Sequence, residues 1–279
     1  MRLLHFLASI PLGILLASCG SPTPSLSPSP SPSGSSSSSP TPFPEAAVPL
    51  YFLRGSTLGV SHRMVSTADG YPLNALTALV AGPDATETAA GLGTDIPKGT
   101  RILHVRVTGA TAVVDCSEAF LQDITSRSVR NRVSEIVYTA TSTSAITNVQ
   151  ITVNGSTPSI PGAPLNMSRT FGRSDFLDTL PPIFLESPAV GDTLTGSLHM
   201  TGLANVFEAQ FNFTLTDSAG KLLASGSIQA SAGTGTWGTF AYDTAYAASS
   251  APSAVLHVYD LSAKDGSVID SVVLQLPLT

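Results

Sequence analysis

Two cysteines are the strongest nucleophiles in this chain of 279 residues, and what surrounds each decides what it can do. A thiol becomes reactive where a histidine, a cation or a helix N-terminus stabilises the thiolate. Cys116 follows Val113 and Val114 in an apolar run with no histidine near it, so a buried, unreactive thiol is expected there. A nucleophilic serine needs a base oriented by a third group, and its common signature G-x-S-x-G is absent. Gly55-Ser56-Thr57-Leu58-Gly59 places the serine one position too early. Ser262-Ala263-Lys264-Asp265 sets a hydroxyl two residues from an amine, but it abuts Gly266 and reads as a turn. His62, His104, His199 and His257 stand alone, without an H-E-x-x-H or C-x-x-C spacing that would gather zinc ligands. No phosphate-cradling G-x-x-x-x-G-K-[ST] loop occurs either. The expectation is therefore no catalytic, cofactor-binding or metal-binding residue, no cofactor, and no enzyme.

Cys19 sits in a different context. Met1 to Ser18 supply a short basic start at Arg2, an apolar stretch from Leu3 to Ala17 and small residues before the cut, the layout of a secretory signal peptide. Ser9 and Pro11 interrupt that stretch, which makes it marginal for spanning a bilayer. Leu16-Ala17-Ser18-Cys19 resembles the bacterial lipobox, and the resemblance implies that Cys19 is lipidated and becomes the mature N-terminus. Each buried lipid methylene contributes about 0.8 kcal/mol, so several acyl chains hold a protein to the membrane almost irreversibly. With Cys19 acylated, Cys116 has no partner for an intrachain disulfide.

From Ser21 to Pro44 the chain is nearly all serine, proline and threonine, with no charge between Arg2 and Glu45. Such a tract cannot bury a core. Residues 19–45 are expected to form a linker, and at about 3.1 Å per residue in polyproline II its Ser21–Pro44 tract would reach up to roughly 70 Å from the membrane. Net charge is −6, and loss of Arg2 with the leader leaves 12 Lys+Arg against 19 Asp+Glu, so nothing draws the chain to nucleic acid.

The remaining chain, 42% hydrophobic and 11% charged over its whole length, suffices for two small domains. In the first, residues 46–176, alternation predicts strands at Val48–Leu53 and Gly59–Val65. Pro72 opens a helix whose Leu73, Leu76, Leu79 and Val80 share a face, and Gly82-Pro83 ends it. Strands follow at Arg101–Val107 and Thr111–Asp115. A second helix runs from Ser126 to Thr141, with Val129, Val133, Ile136, Val137 and Ala140 as its apolar stripe. Arg127, Arg130, Asn131 and Ser134 face elsewhere. Val149, Ile151 and Val153 mark a last strand, and the proline-rich stretch from Asn154 to Phe171 reads as a loop. This order predicts an α+β layer sandwich with the helices on one face of a small sheet.

Past Leu180-Pro181-Pro182, residues 180–279 alternate without helical spacing, and about seven strands are expected in an all-β sandwich. The clearest strand runs from Phe207 to Leu215, with Phe207, Ala209, Phe211, Phe213 and Leu215 facing inward. Asp217–Gly220 is a turn, and Asp265-Gly266 marks a hairpin into Val268–Leu276. Trp237, the only tryptophan, is expected between the sheets.

Val48-Pro49-Leu50-Tyr51-Phe52, the run Leu76 to Pro83, Ile96-Pro97-Lys98-Gly99-Thr100 and Ile136-Val137-Tyr138-Thr139 resemble the GerMN domain of bacterial sporulation and germination lipoproteins. Ile183 to Pro188, Gly202 to Glu208, Gly235 to Phe240 and Ser262 to Ser267 resemble the immunoglobulin-like domain that follows GerMN in germination proteins. The resemblance implies a multidomain chain of extracytoplasmic interaction modules. The leading reading is a non-enzymatic lipoprotein on the outer side of the cell membrane, anchored through its N-terminal lipid. It would act as a scaffold or adaptor for an envelope protein or cell-wall polymer. The competing reading, an accessory cell-wall hydrolase or small-ligand receptor, needs convergent polar groups between the two domains.

Overall fold

The structure is a computed structural model that describes residues 44–160 and 165–279. Cys19, with its expected lipid, and the linker up to Phe43 lie outside the described residues. In the first half, β1 (Glu45–Arg54) and β2 (Thr57–Ser66) form a hairpin paired over ten residues. A two-residue strand, β3 (Leu92–Gly93), pairs with the far end of β1. Helices α1 (Leu73–Val80) and α2 (Ala85–Ala89) lie between β2 and β3 in sequence. Strands β4 (Ile102–Thr108) and β5 (Thr111–Cys116) make a second hairpin; α3 (Ser126–Ala140) then leads to β6 (Asn148–Val153), parallel to β5.

The α+β layering is present, but the single sheet expected is two three-stranded sheets, ordered β2-β1-β3 and β4-β5-β6. The parallel β5–β6 pair requires a crossover, and α3 supplies it. Having packed on β6, α3 also meets β1 and α1 on its other sides. Its stripe is buried as expected, yet Asn131 and Ser134, expected to face away, are buried too, together with Arg132 and Glu135. A helix enclosed between two sheets has little solvent face left. Its start is fixed by a reciprocal cap between Thr125 and Ser128.

β1 is buried on both faces. Leu50 and Phe52 share one face with their neighbours Ser61 and Arg63, and this is the side of α1 and α2, because Arg63 reaches Ala78, Gly82 and Glu87. Tyr51 and the β2 residues Val60 and His62 occupy the opposite face and meet the second half of the chain. The loop expected before Phe171 ends in a bridge, since Val149 and Phe171 exchange two 2.8 Å backbone bonds.

The second half is the expected sandwich, with seven strands among the described residues. They are β7 (Ile183–Ser187), β8 (Ser197–Ala204), β9 (Gln210–Asp217), β10 (Leu222–Gln229), β11 (Gly238–Ala245), β12 (Ser253–Leu261) and β13 (Val268–Pro277). Sheets β10-β9-β12-β13 and β11-β8-β7 face each other over Phe211, Phe213, Leu256, Met200 and Phe240. The Phe211 and Phe240 rings meet edge to face at 5.0 Å.

Two expectations fail here. Phe207 lies outside β9 and is 55% exposed, because Glu208 and Ala209 turn into the left-handed region (φ 54° and 58°) and break the alternation. The Val206 carbonyl, accepting from the amides of Ala209 and Thr234, holds that turn. Trp237 precedes β11 in a loop and is half-buried at the margin of the core, not enclosed between the sheets.

Candidate functional site between the domains

Three sets of contacts join the halves. The first is aromatic: Tyr51 of β1, Tyr138 of α3 and Phe184 of β7 stack with ring centroids 5.4, 6.1 and 5.9 Å apart. Arg173, in the turn of 3₁₀ helix that precedes β7, lies over both tyrosine rings at 5.0 and 4.8 Å. Its guanidinium donates to Glu186 Oε1 (2.8 Å), Tyr51 Oη (2.9 Å), the Tyr138 carbonyl (3.1 Å) and Thr141 Oγ1 (3.0 Å), which uses four of the five donors of its planar fork. Tyr51 in turn donates to Glu186 Oε1 at 2.6 Å. Burial above all pushes the Tyr51 hydroxyl well over the ordinary phenol range, so it remains a donor.

The second set closes the open edge of β2. His62 N donates to the Val190 carbonyl at 2.8 Å, and Val190 N donates to the Val60 carbonyl at 3.3 Å. Val190 thus adds one parallel residue to the first sheet from the other domain. Beside it, His62 Nδ1 stands 2.9 Å from both carboxylate oxygens of Asp192, and Asp192 Oδ2 accepts the Ala189 amide.

The third feature is a cleft of about 980 Å³ where β2, α2, the 190–191 loop and β13 come together. Buried Glu87 occupies its wall and accepts from Ser61 Oγ (2.6 Å) and from the Arg63 guanidinium. Arg63 also donates to the carbonyls of Ala78 (3.1 Å) and Gly82 (3.0 Å). Glu87 caps its own helix as well, in a reciprocal pair with Asp84. Arg54 differs: its one protein hydrogen bond is from Nη1 to the Val273 carbonyl at 3.3 Å, and no carboxylate pairs with it among the described residues.

Ser61, His62 and Glu87 border this cleft and Asp192 bonds to His62, which together is the composition a hydrolase would use. Their geometry separates them. Ser61 and His62 are consecutive on β2 and so point to opposite faces, the serine to Glu87 and the histidine to Asp192. The base beside the serine is Glu87 itself, which is already held by Arg63 and by the Asp84 amide, while the one histidine of the cleft faces away from the serine.

The residues singled out in the sequence lie apart. Cys116 is fully buried at the end of β5, where burial, and then the neighbouring Asp115 charge, push its thiol up to about 12. His104 is exposed on β4, His199 pairs with Asp243 at 2.5 Å, and His257 stacks on Tyr259 at 4.6 Å. Ser262 and Lys264 belong to the β12–β13 turn, where Ser262 Oγ accepts the Lys264 amide. Among the described residues no three His, Cys, Asp or Glu side chains converge as metal ligands do. Of the residues that build the joint, Arg54, Arg63, Arg173 and Asp192 carried no motif, and Glu186 lay inside the Ile183–Pro188 resemblance without being singled out. Only Asp84-x-x-Glu87 had a readable signal, the spacing of a capping box.

Residues 49–158 match the family model described as sporulation and spore germination. Residues 182–267 match that of the immunoglobulin-like domain of bacterial spore germination. The chain carries one domain of each family. The joint is thus the seam between a GerMN-like domain and an immunoglobulin-like domain. Among solved structures, a candidate lipoprotein of Clostridium perfringens is similar at 19% identity over 49% of this chain and 93% of its own, with a TM-score of 0.35. The first GerMN domain of the sporulation protein GerM from Bacillus subtilis aligns at 18% identity over 47% of this chain and 99% of its own (TM-score 0.36). The tandem GerMN domains of that protein align at 12% identity over 72% and 62% (TM-score 0.37). No curated protein matches the chain.

Proposed function

We propose that this chain is a non-enzymatic adaptor of the cell envelope, with a role related to sporulation or germination, held to the outer face of the membrane by lipid on Cys19. One observation carries the reading: apart from Arg54, the charged side chains at the joint are committed to structural bonds. Arg173, Glu186 and Tyr51 bond one another across the seam, and beside it Ser61 ties Glu87 and the Val190 carbonyl together while Arg63 neutralises Glu87. Groups committed in this way fix the angle between two binding modules and leave no activated nucleophile. The tether is supported by Leu16-Ala17-Ser18-Cys19 and the uncharged Ser/Pro tract after it, which together supply an anchor and a reach. Such a molecule works by presenting two rigid surfaces at a set distance from the bilayer.

The full chain and its Cys19→Ser variant, expressed in the native host, test this. The wild type is expected in the membrane fraction and the variant in the soluble one, and photocrosslinking at the membrane is expected to join the wild type to one reproducible envelope partner. Release of soluble fragments from purified cell wall by the full chain would overturn the adaptor reading in favour of a hydrolase.

A further inference from the structure

β13 is the outermost strand of its sheet; Leu194 bridges its edge at Pro277 and Leu278, and the stretch Val273–Gln275 before that bridge borders the cleft. The direction of its backbone groups follows from two bonds. The Val273 carbonyl accepts from Arg54 and the Pro277 carbonyl accepts from Leu194 N, both from outside the β12–β13 ladder. Outward-pointing residues alternate along an antiparallel strand, so Gln275, midway between them, presents its N–H and C=O on the same edge. Both Val273 and Gln275 are exposed.

Arg54 marks one end of this edge. Burial lowers its pKa and no acidic group offsets the effect, so a positive charge is partly desolvated without a counter-ion. Its side chain lies across β2 because residue 59 is glycine: a β-carbon there would stand 3.2 Å from Arg54 Cβ and 2.9 Å from Leu92 Cδ2. Arg63, the other guanidinium of the cleft, is occupied by Glu87 and two carbonyls. Asp84, which also lines the cleft and stands 3.9 Å from Arg63 Nε, repels a second anion there, so negative charge is favoured beside Arg54. Two large apolar side chains, Met64 at 56% and Val273 at 48% exposure, open onto the same space. The cleft volume lies near the top of the roughly 300–1,000 Å³ usual for ligand pockets.

We propose that the cleft takes an extended segment of a partner protein, which adds as a strand to the free edge of β13 and pairs one carboxylate with Arg54. Backbone bonds to Val273 and Gln275 supply sequence-independent affinity, and alternate side chains of the segment meet Met64 and Val273. The carbonyl of Val273 has a second lone pair for the incoming N–H, so Arg54 can turn its unused donors to the carboxylate without losing its hold. This surface rests on the adaptor reading and names the kind of partner it serves.

The test uses the purified full chain and fluorescent octapeptides of alternating threonine and valine with one position set to Glu, Gln or Lys. The Glu set is expected to bind at least about tenfold tighter than the Lys set, the worth of one charge-assisted hydrogen bond. Arg54→Gln is expected to abolish the preference for Glu over Gln. N-methylation of alternate backbone nitrogens is expected to remove binding in one phase and spare it in the other. Equal binding of the Glu and Lys sets, or no binding by any member at about 1 mM, overturns the proposal. Met64→Asp, at an exposed position, gives an independent check on a variant that leaves Arg54 in place, and weaker binding of the Glu set is expected. The crosslinking described above is repeated with both variants. A partner retained at the wild-type level overturns the cleft proposal and leaves the adaptor reading intact, whereas a wild type that captures no partner overturns the adaptor reading itself.

Discussion

Replacing Gly191 by alanine would strike the joint at its narrowest point. Gly191 follows the residue that bridges to β2 and has φ 98°, in the region L-residues rarely adopt. A β-carbon built there overlaps the carbonyl oxygen of His62 and stands 3.4 Å from the carbonyl carbon. Both obstacles are backbone of a paired strand, which cannot swing aside as a side chain does. Holding alanine in that conformation costs about 1–2 kcal/mol. Relieving the overlap by moving the loop breaks the two backbone bonds of Val190, worth about 0.5–1.5 kcal/mol each, and draws Asp192 away from His62. The sum is on the order of 2–5 kcal/mol, concentrated at the seam. In urea, the wild type should unfold in one transition, and Gly191→Ala should split it as the immunoglobulin-like domain loses the support of its neighbour. Hydrogen exchange at the His62 amide should accelerate at the same time. A single transition at the wild-type midpoint with His62 still protected would show that the Val190 bridge does not hold the domains together.

Other perturbations probe separate parts of the molecule. Burial pushes the Glu135 carboxyl up to about 8, against hydrogen bonds from Thr94 and the Asp95 amide that favour the anion. A carboxyl whose folded-state pKa is raised contributes stability that is full below about pH 4.5 and lost as pH rises to about 8, so Glu135→Gln should flatten that slope in urea titrations and exceed the wild type by a few kcal/mol at pH 8. Cys116 should resist alkylation in the native Cys19→Ser chain at pH 8 and react promptly in denaturant, since its thiol is both buried and held protonated. Arg173→Met keeps the packing over the tyrosine rings but strands Glu186, and after allowance for the partial exposure of the pair a loss of about 1–3 kcal/mol is expected from urea midpoints. Phe211→Ala should cost about 3–5 kcal/mol while Phe207→Ser stays within about 0.5 kcal/mol, a contrast that thermal melts will read directly.

Periodicity revealed most elements because each has one dominant environment. The α3 stripe from Val129 to Ala140 and the alternation from Phe211 to Leu215 are set by burial against a single layer. Where a helix is covered on more than one side the pattern misleads: Asn131 and Ser134 read as solvent-facing, yet both are buried, and Asn131 donates to Asp95 in the segment that follows β3. Division of the first domain into two sheets was not legible either, because strand partners depend on contacts distant in sequence. Phe207 misled for a local reason, since nothing in Glu208-Ala209 announces two consecutive left-handed residues. The cleft was the least visible feature. Ser61, His62, Arg63 and Glu87 are separated in the chain from Asp192 and Val273 by more than a hundred residues, and no spacing rule connects them. What the sequence did display was the lack of any local catalytic signature and, at Cys19, a lipobox-like tetrapeptide followed by a Ser/Pro-rich tract.

The Pro44 carbonyl, gripped by both the amide and the hydroxyl of Thr67, fixes the point where the folded body begins. The next residue opens β1, the strand that carries the helices on one side and touches the immunoglobulin-like domain on the other. A pull applied to the chain at Pro44 would therefore be delivered directly to the shared keel of both domains. Whatever orientation a tether imposes on that strand is inherited by every surface the two domains present.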